Sequence, residues 1–303
     1  MSQRSRFFGF ILVCSCFSWA SGATFPAVGT TPVLPASPQP TETPDPSKAF
    51  WEDYREVLKA YVDPQGLVNY EGLKVDRGKL DHVIEAIGRL DPKVLDGWTT
   101  QEQIAFYLNA YNALVLQTIV DHYPVKPTGL FGNGKTGGIK DLPGALSRAK
   151  HQVLGQSMTL DHIEHDILRR QYDEPRVLFA LVPASKGGPA LRNEPYGGSR
   201  LDTQMDEQAR RFLAEEANFK IDGTRKRVYL SPIFSWYGVD FIGKYGPKSP
   251  FKGYSKKAGA DLHFISRHLA ASERKTLLNG KFKVEYLGYD WSLNEQTKKP
   301  VRN

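Results

Sequence analysis

The chain has 303 residues, of which 40 are Lys or Arg and 33 are Asp or Glu, for a formal net charge of +7. The two signs interleave rather than forming a basic face, which argues against a dedicated nucleic-acid surface. Its only two cysteines, Cys14 and Cys16, lie in the first apolar stretch, so the rest of the chain makes no disulfide and uses no thiolate.

Residues 1–23 read as a secretory leader. Arg4 and Arg6 supply the basic start, residues 7–17 the apolar stretch, and Ser21-Gly22-Ala23 the small-residue cleavage site. The stretch is shorter than the ~20 residues a spanning helix needs, so cleavage and release into the periplasm or beyond is expected, with no membrane span retained. Losing Arg4 and Arg6 takes the charge from +7 to +5. Residues 24–47 form a Pro/Thr/Ser tether with too few apolar groups to offset its ordering entropy. The folded domain is expected over 48–295, with a frayed tail at 296–303.

Apolar residues recur at helical spacing over 50–62 (Phe50, Tyr54, Val57, Leu58, Tyr61) and again over 79–90. Residues 100–122 carry the strongest signal. Thr99 and Glu102 make a capping box, and apolar side chains cover most of the circumference, as in a central, buried helix. Residues 125–155 read as glycine-rich loop, and 160–172 as a helix. The continuous apolar run 177–182 reads as a buried strand, followed by the loop Ser185-Lys186-Gly187-Gly188-Pro189. A helix over 203–217 precedes a hairpin, 218–230, in which Asp222-Gly223 is expected to supply a type I′ turn. Aromatic-rich 234–245, a helix over 260–269 and a closing strand over 281–289 complete the pattern. Helices outnumber strands and cluster early. The expected class is α+β, a single helix-rich domain with a small, mostly antiparallel sheet packed against the buried central helix.

Four constellations bear on chemistry. Residues 129–136 satisfy the P-loop pattern letter for letter, but prolines and glycines replace the strand and helix that would cradle a phosphate. No nucleotide is assigned. His162, Glu164, His165 and Asp166 share one helix; the spacing suits a core histidine first, an acid/base pair of Glu164 and His165 second and a metal pair last, and without a third ligand no metal is assigned. Asn109 and Asn112 sit one turn apart in the most apolar helix, implying a polar seam that either holds loops or faces a cleft. Ser185 is a turn serine unless His165 reaches it, when it becomes a nucleophile, and Arg192 either clamps an anion or makes a surface ion pair.

Several segments, in order, resemble the exported bacterial members of the domain-of-unknown-function family 547. They are Gly66-Leu-Val-Asn-Tyr70, Phe106-Tyr-Leu-Asn109-Ala-Tyr111-Asn112, Leu160-Asp-His-Ile-Glu164-His165, Phe179-Ala-Leu-Val-Pro183-Ala-Ser185 through Arg192, and Ser231-Pro-Ile-Phe-Ser-Trp236-Tyr-Gly-Val-Asp240. The resemblance suggests where a site lies and supplies no established activity. It also implies two cysteines at the positions of Pro183 and Gly188. Their absence here removes either a nucleophile or a disulfide staple.

Together these readings predict one polar cleft. Its first interpretation is a hydrolase or acyl-transfer enzyme acting on an envelope or extracellular small molecule or peptide. His165 is then the base, Glu164 its support and Ser185 or water the nucleophile, with Asn109, Tyr111, Asn112, Lys186 and Arg192 lining the cleft and no cofactor. The alternative is a non-catalytic protein that holds a ligand or partner in the same cleft.

Overall fold

The computed structural model describes residues 49–128 and 137–297. The expected leader and tether and the P-loop-like stretch 129–136 lie outside these residues, as do Lys48 and 298–303. Helix α1 (Phe50–Tyr61) buries the stripe Phe50, Tyr54, Val57 and Leu58. Short α2 (Tyr70–Val75) and α3 (Gly78–Arg89) follow. Helix α4 (Thr100–His122) begins at the predicted capping box, with Thr99 and Glu102 each satisfying the other's backbone N–H, and it is buried almost all round. Its neighbours include α2 and α3 on one side and the His165 segment on another.

Three local expectations are overturned. The presumed loop 125–155 ends in a hairpin, β1 (His151–Val153) against β2 (Gln156–Met158), with Leu154 and Gly155 both at positive φ in its turn. The run 177–182 is buried but is no strand. Pro175–Phe179 winds as a 3₁₀ turn started by Glu174, whose side chain accepts from the Arg176 N–H. Beyond it the side chain of Asn112 takes a neighbouring strand's place, accepting from Val182 N at 3.0 Å and donating to Ala180 O at 3.0 Å. The third concerns the later hairpin, β3 (Phe219–Asp222) with β4 (Arg227–Leu230). It is closed by four residues, with positive φ at Lys226 and Asp222 accepting from Arg225 N at 2.8 Å, so Asp222-Gly223 is not a two-residue turn.

Helix α5 (Leu201–Ala214) separates two apolar cores. The first gathers α1–α4 and the His165 segment. The second packs Phe212 and Leu213 of α5 against Phe219, Val228 and Leu230 of the sheet. It also takes in α6 (Pro232–Tyr237), α7 (Asp240–Tyr245), α8 (Lys256–His268) and α9 (Ala271–Asn279). The α+β class stands, but the three-stranded sheet lies in this second core beside α5 and not on α4. Its order is β3-β4-β5, and β5 (Lys283–Tyr286) joins β4 in parallel.

Residues 290–296 then return as a strap across the first core. Lys186 N donates to Ser292 O at 2.9 Å and Gly187 N to Asp290 O at 2.8 Å. Val68 N donates to Asn294 O at 2.9 Å, and Tyr70 Oη to Asn294 Oδ1 at 2.7 Å. Gln296, expected to open a frayed tail, is tied to the α1–α2 connection through Val68 O, Leu67 O and Tyr61 O. Among the described residues no helix is long and apolar enough to cross a membrane.

Candidate functional site

The His165 helix is not α-helical where it matters. His162–Arg169 winds as a π-helix, a rare form that is frequent at functional sites. The winding buries Ile163, Ile167 and Leu168 and turns consecutive residues 164 and 165 to different surroundings. The Glu164 side chain is 12% exposed and His165 is 40% exposed. Tyr111, fully inside α4, donates its hydroxyl to Glu164 Oε2 at 3.3 Å, and Tyr237, at the end of α6, lies beside this carboxylate.

Glu164 stands in a narrow slot of about 70 Å³, walled by Pro183, Trp236, Tyr237, Tyr289 and Trp291. The outer wall is an aromatic cluster. Trp236 and Trp291 stack with centroids 5.8 Å apart and planes within 24°. Tyr289 lies 4.3 Å from Trp291 and 5.1 Å from Trp236, centroid to centroid. Trp236 remains 46% exposed at the mouth. Burial pushes the Tyr289 hydroxyl up to about 12, and burial followed by nearby Glu164 holds Tyr111 and Tyr237 above the usual phenol range. All three therefore stay protonated donors at neutral pH.

The remaining predicted residues are present but otherwise engaged. His165 Nδ1 lies 2.7 Å from the Arg169 guanidinium, which can only donate, so the neutral ring carries its proton on Nε2. The same Arg169 grips Asp240 through two bonds of 2.7 and 3.1 Å. Ser185 is buried, and its hydroxyl bonds Tyr289 Oη at 2.7 Å. No hydrogen bond joins Ser185 to His165, so the expected nucleophile–base pair is not formed. The predicted His165–Glu164 pair is brought together, with Nδ1 3.6 Å from Oε1, while the ring lines an open groove with Lys150, Asp161 and His162. There His162 pairs with Asp166 at 3.0 Å, and among the described residues no three His, Cys, Asp or Glu side chains are placed to hold a metal.

Asn109 spends both ends of its amide on Tyr196, donating to its carbonyl at 2.9 Å and accepting from its N–H at 2.8 Å. Asn112 is committed likewise to 180–182; both side chains are buried and neither lines the slot, so neither is placed there as an oxyanion donor. Arg192 bonds Glu194 and Glu207 and is no anion clamp. Lys186 is exposed and contributes its backbone N–H to the strap. Gly188 explains how Tyr289 reaches Ser185. A Cβ built there would lie 2.8 Å from Tyr289 Oη and 3.1 Å from Ser185 Oγ. It would also lie 3.3 Å from Pro183 Cδ, so positions 183 and 188 are neighbours, as a bridged pair of cysteines would require.

Sequence reasoning missed Trp236, Tyr237, Tyr289 and Trp291 as site residues. The available signal was two short clusters, Trp236-Tyr237 and Tyr289-Asp290-Trp291, each pairing large rings beside polar turns.

Residues 95–213 match the family described as "Protein of unknown function, DUF547". The matched stretch holds Tyr111, Glu164 and Pro183, whereas the four aromatic residues of the outer wall lie beyond it. No significant match is found among curated proteins or among solved structures.

Proposed function

We propose that this chain, which belongs to the DUF547 family through residues 95–213, is an exported ligand-binding protein. Its aromatic slot takes the small, hydrogen-bond-donating head of an extended ligand, a peptide or small molecule, and sets it on Glu164. One observation carries this reading. A carboxylate with about four acceptor positions stands in the slot with the Tyr111 hydroxyl donating to it and Tyr237 beside it, which leaves capacity for a further partner. Rigid aromatic walls with a few convergent polar groups are the usual make-up of a small-ligand site.

The hydrolytic reading has less support, because His165 and Ser185 are committed to Arg169 and Tyr289. The leader at 1–23 supports action in the periplasm or outside the cell.

The test is a thermal-shift and tryptophan-fluorescence screen of the exported chain against amino acids, short peptides and cell-wall fragments, run beside Glu164→Gln. A ligand that binds only the native state raises the melting temperature by mass action. The expected hit disturbs Trp236 and Trp291 emission, is not turned over, and is lost in Glu164→Gln. Turnover would restore the enzyme reading, and a hit indifferent to Glu164→Gln would move the site elsewhere.

A further inference from the structure

Resting on that slot as the binding site, we infer that the head it accepts is a primary alkylammonium, the charged end of a lysine-like side chain, amino sugar or polyamine. Among the described residues Glu164 is the one charged side chain lining the slot. Its neutral neighbours, Tyr111 and Tyr237, bring no opposite charge. His165 Nδ1 lies 3.6 Å from Glu164 Oε1 but already meets the Arg169 guanidinium at 2.7 Å, and Arg169 in turn is held on Asp240 by two bonds. With no guanidinium or ammonium paired to it among the described residues, this enclosed carboxylate favours a ligand that brings one.

The walls make the same selection. Trp and Tyr rings present negative faces, and cations already rest on two of these. The Lys140 ammonium lies 3.5 Å from the Trp291 ring centre, and the Arg169 guanidinium carbon 4.5 Å from that of Tyr237. Neither of those cations lines the slot itself. An anionic head would meet Glu164 with no cation lining the slot to offset it, and is rejected.

Hydrogen bonding narrows the class further. The primary ammonium brings three donors, of which the free lone pairs of Glu164 can take at least one, whereas a trimethylammonium head brings none. The alkyl stem would leave past Trp236 at the mouth.

The experiment titrates the exported chain with n-butylammonium, n-butanol and tetramethylammonium at constant ionic strength, following tryptophan emission, with Glu164→Gln in parallel. Butylammonium should bind at least tenfold more tightly than butanol or tetramethylammonium. It should lose at least tenfold in Glu164→Gln, whose fold is checked by circular dichroism. The comparison among the three probes in the parent protein is decisive without any variant. Equal binding of butanol would overturn the ammonium assignment and leave the slot a binding site for neutral heads. Tighter tetramethylammonium would overturn the primary-amine class. No response to any of the three would overturn the ammonium assignment, and the slot reading then falls as well if the wider ligand screen is also silent.

Discussion

Replacing Asp261 by asparagine should raise the stability of the protein relative to the parent progressively as pH rises from about 4 to about 7. Asp261 sits in α8 with its side chain fully buried; Oδ2 is 3.3 Å from Lys257 Nζ, and Oδ1 has no hydrogen-bond partner among the described residues. The facing groups on other elements do not relieve it. The Phe234 carbonyl of α6 and the Tyr286 hydroxyl of β5 both bind Lys257 instead. Burial therefore dominates and pushes the carboxyl from its ordinary 3.8 up to about 7, against the pull of Lys257.

Between those two values the native state holds a proton that the unfolded chain has released. The stability tied to this group is fully present below about 3.8 and is lost as pH rises through about 7. At 1.36 kcal/mol per pH unit of displacement, the loss is on the order of 4 kcal/mol. Asp261→Asn has no such titration. Urea unfolding of parent and variant at about pH 4 and about pH 8 gives two differences in unfolding free energy. The variant's relative stability should rise by that order from the lower pH to the higher. Titration of every other group is shared by the two proteins and cancels, as does the fixed effect of the new amide. A difference that stays constant across the range would show that Asp261 is not held protonated by burial, and the reasoning would fail.

Asn112→Ala leaves the Val182 N–H and the Ala180 carbonyl unpaired in the core. At about 1–3 kcal/mol for each orphaned group, urea unfolding should register a loss of about 2–6 kcal/mol; a loss below about 1 kcal/mol would mean water or another side chain takes over. Gly138→Ala would place a Cβ 2.1 Å from the Trp291 carbonyl oxygen, a backbone atom that cannot swing aside. Near-ultraviolet circular dichroism of the tryptophans should change and the melting temperature fall, while Gly97→Ala, with nothing within 4 Å, should do neither. Gly188→Ala should push the Tyr289 hydroxyl off Ser185 and alter ligand affinity in the slot more than it alters stability, which the butylammonium titration measures directly.

What could be read from the chain was local. The capping box and all-round burial of α4 are written into residues 99–122, and the α1 and α3 stripes into their own periodicity. The run 177–182 misled because an apolar stretch reports burial without reporting what satisfies its backbone. Here that answer is Asn112, some 70 residues earlier. The β1–β2 hairpin hid for a related reason. Its strands are three residues long, and one of its two turn positions is Leu154, a residue type with no preference for its φ of 54°.

The same limit governs the site, and it explains which nominations lasted. Motif reading selects residue types able to do chemistry: Ser, His, Asn, Arg. Whether such a group is still free depends on partners distant in sequence. Ser185 is taken by Tyr289 across 104 positions, Asn109 by Tyr196 across 87, and Asn112 by Ala180 across 68. Buried polar groups must be paired, so in a chain with a large core most such residues are consumed in holding loops. Glu164 escapes because a carboxylate accepts more bonds than its tyrosine neighbours can fill. The wall it faces is equally non-local, since Tyr289 and Trp291 arrive only because the strap is tied to residues 66–70 and 184–187. The matched stretch 95–213 thus supplies the carboxylate, while the rings that would select its ligand come from outside it. Members of the family that share Glu164 and differ in these rings would then differ in what they bind.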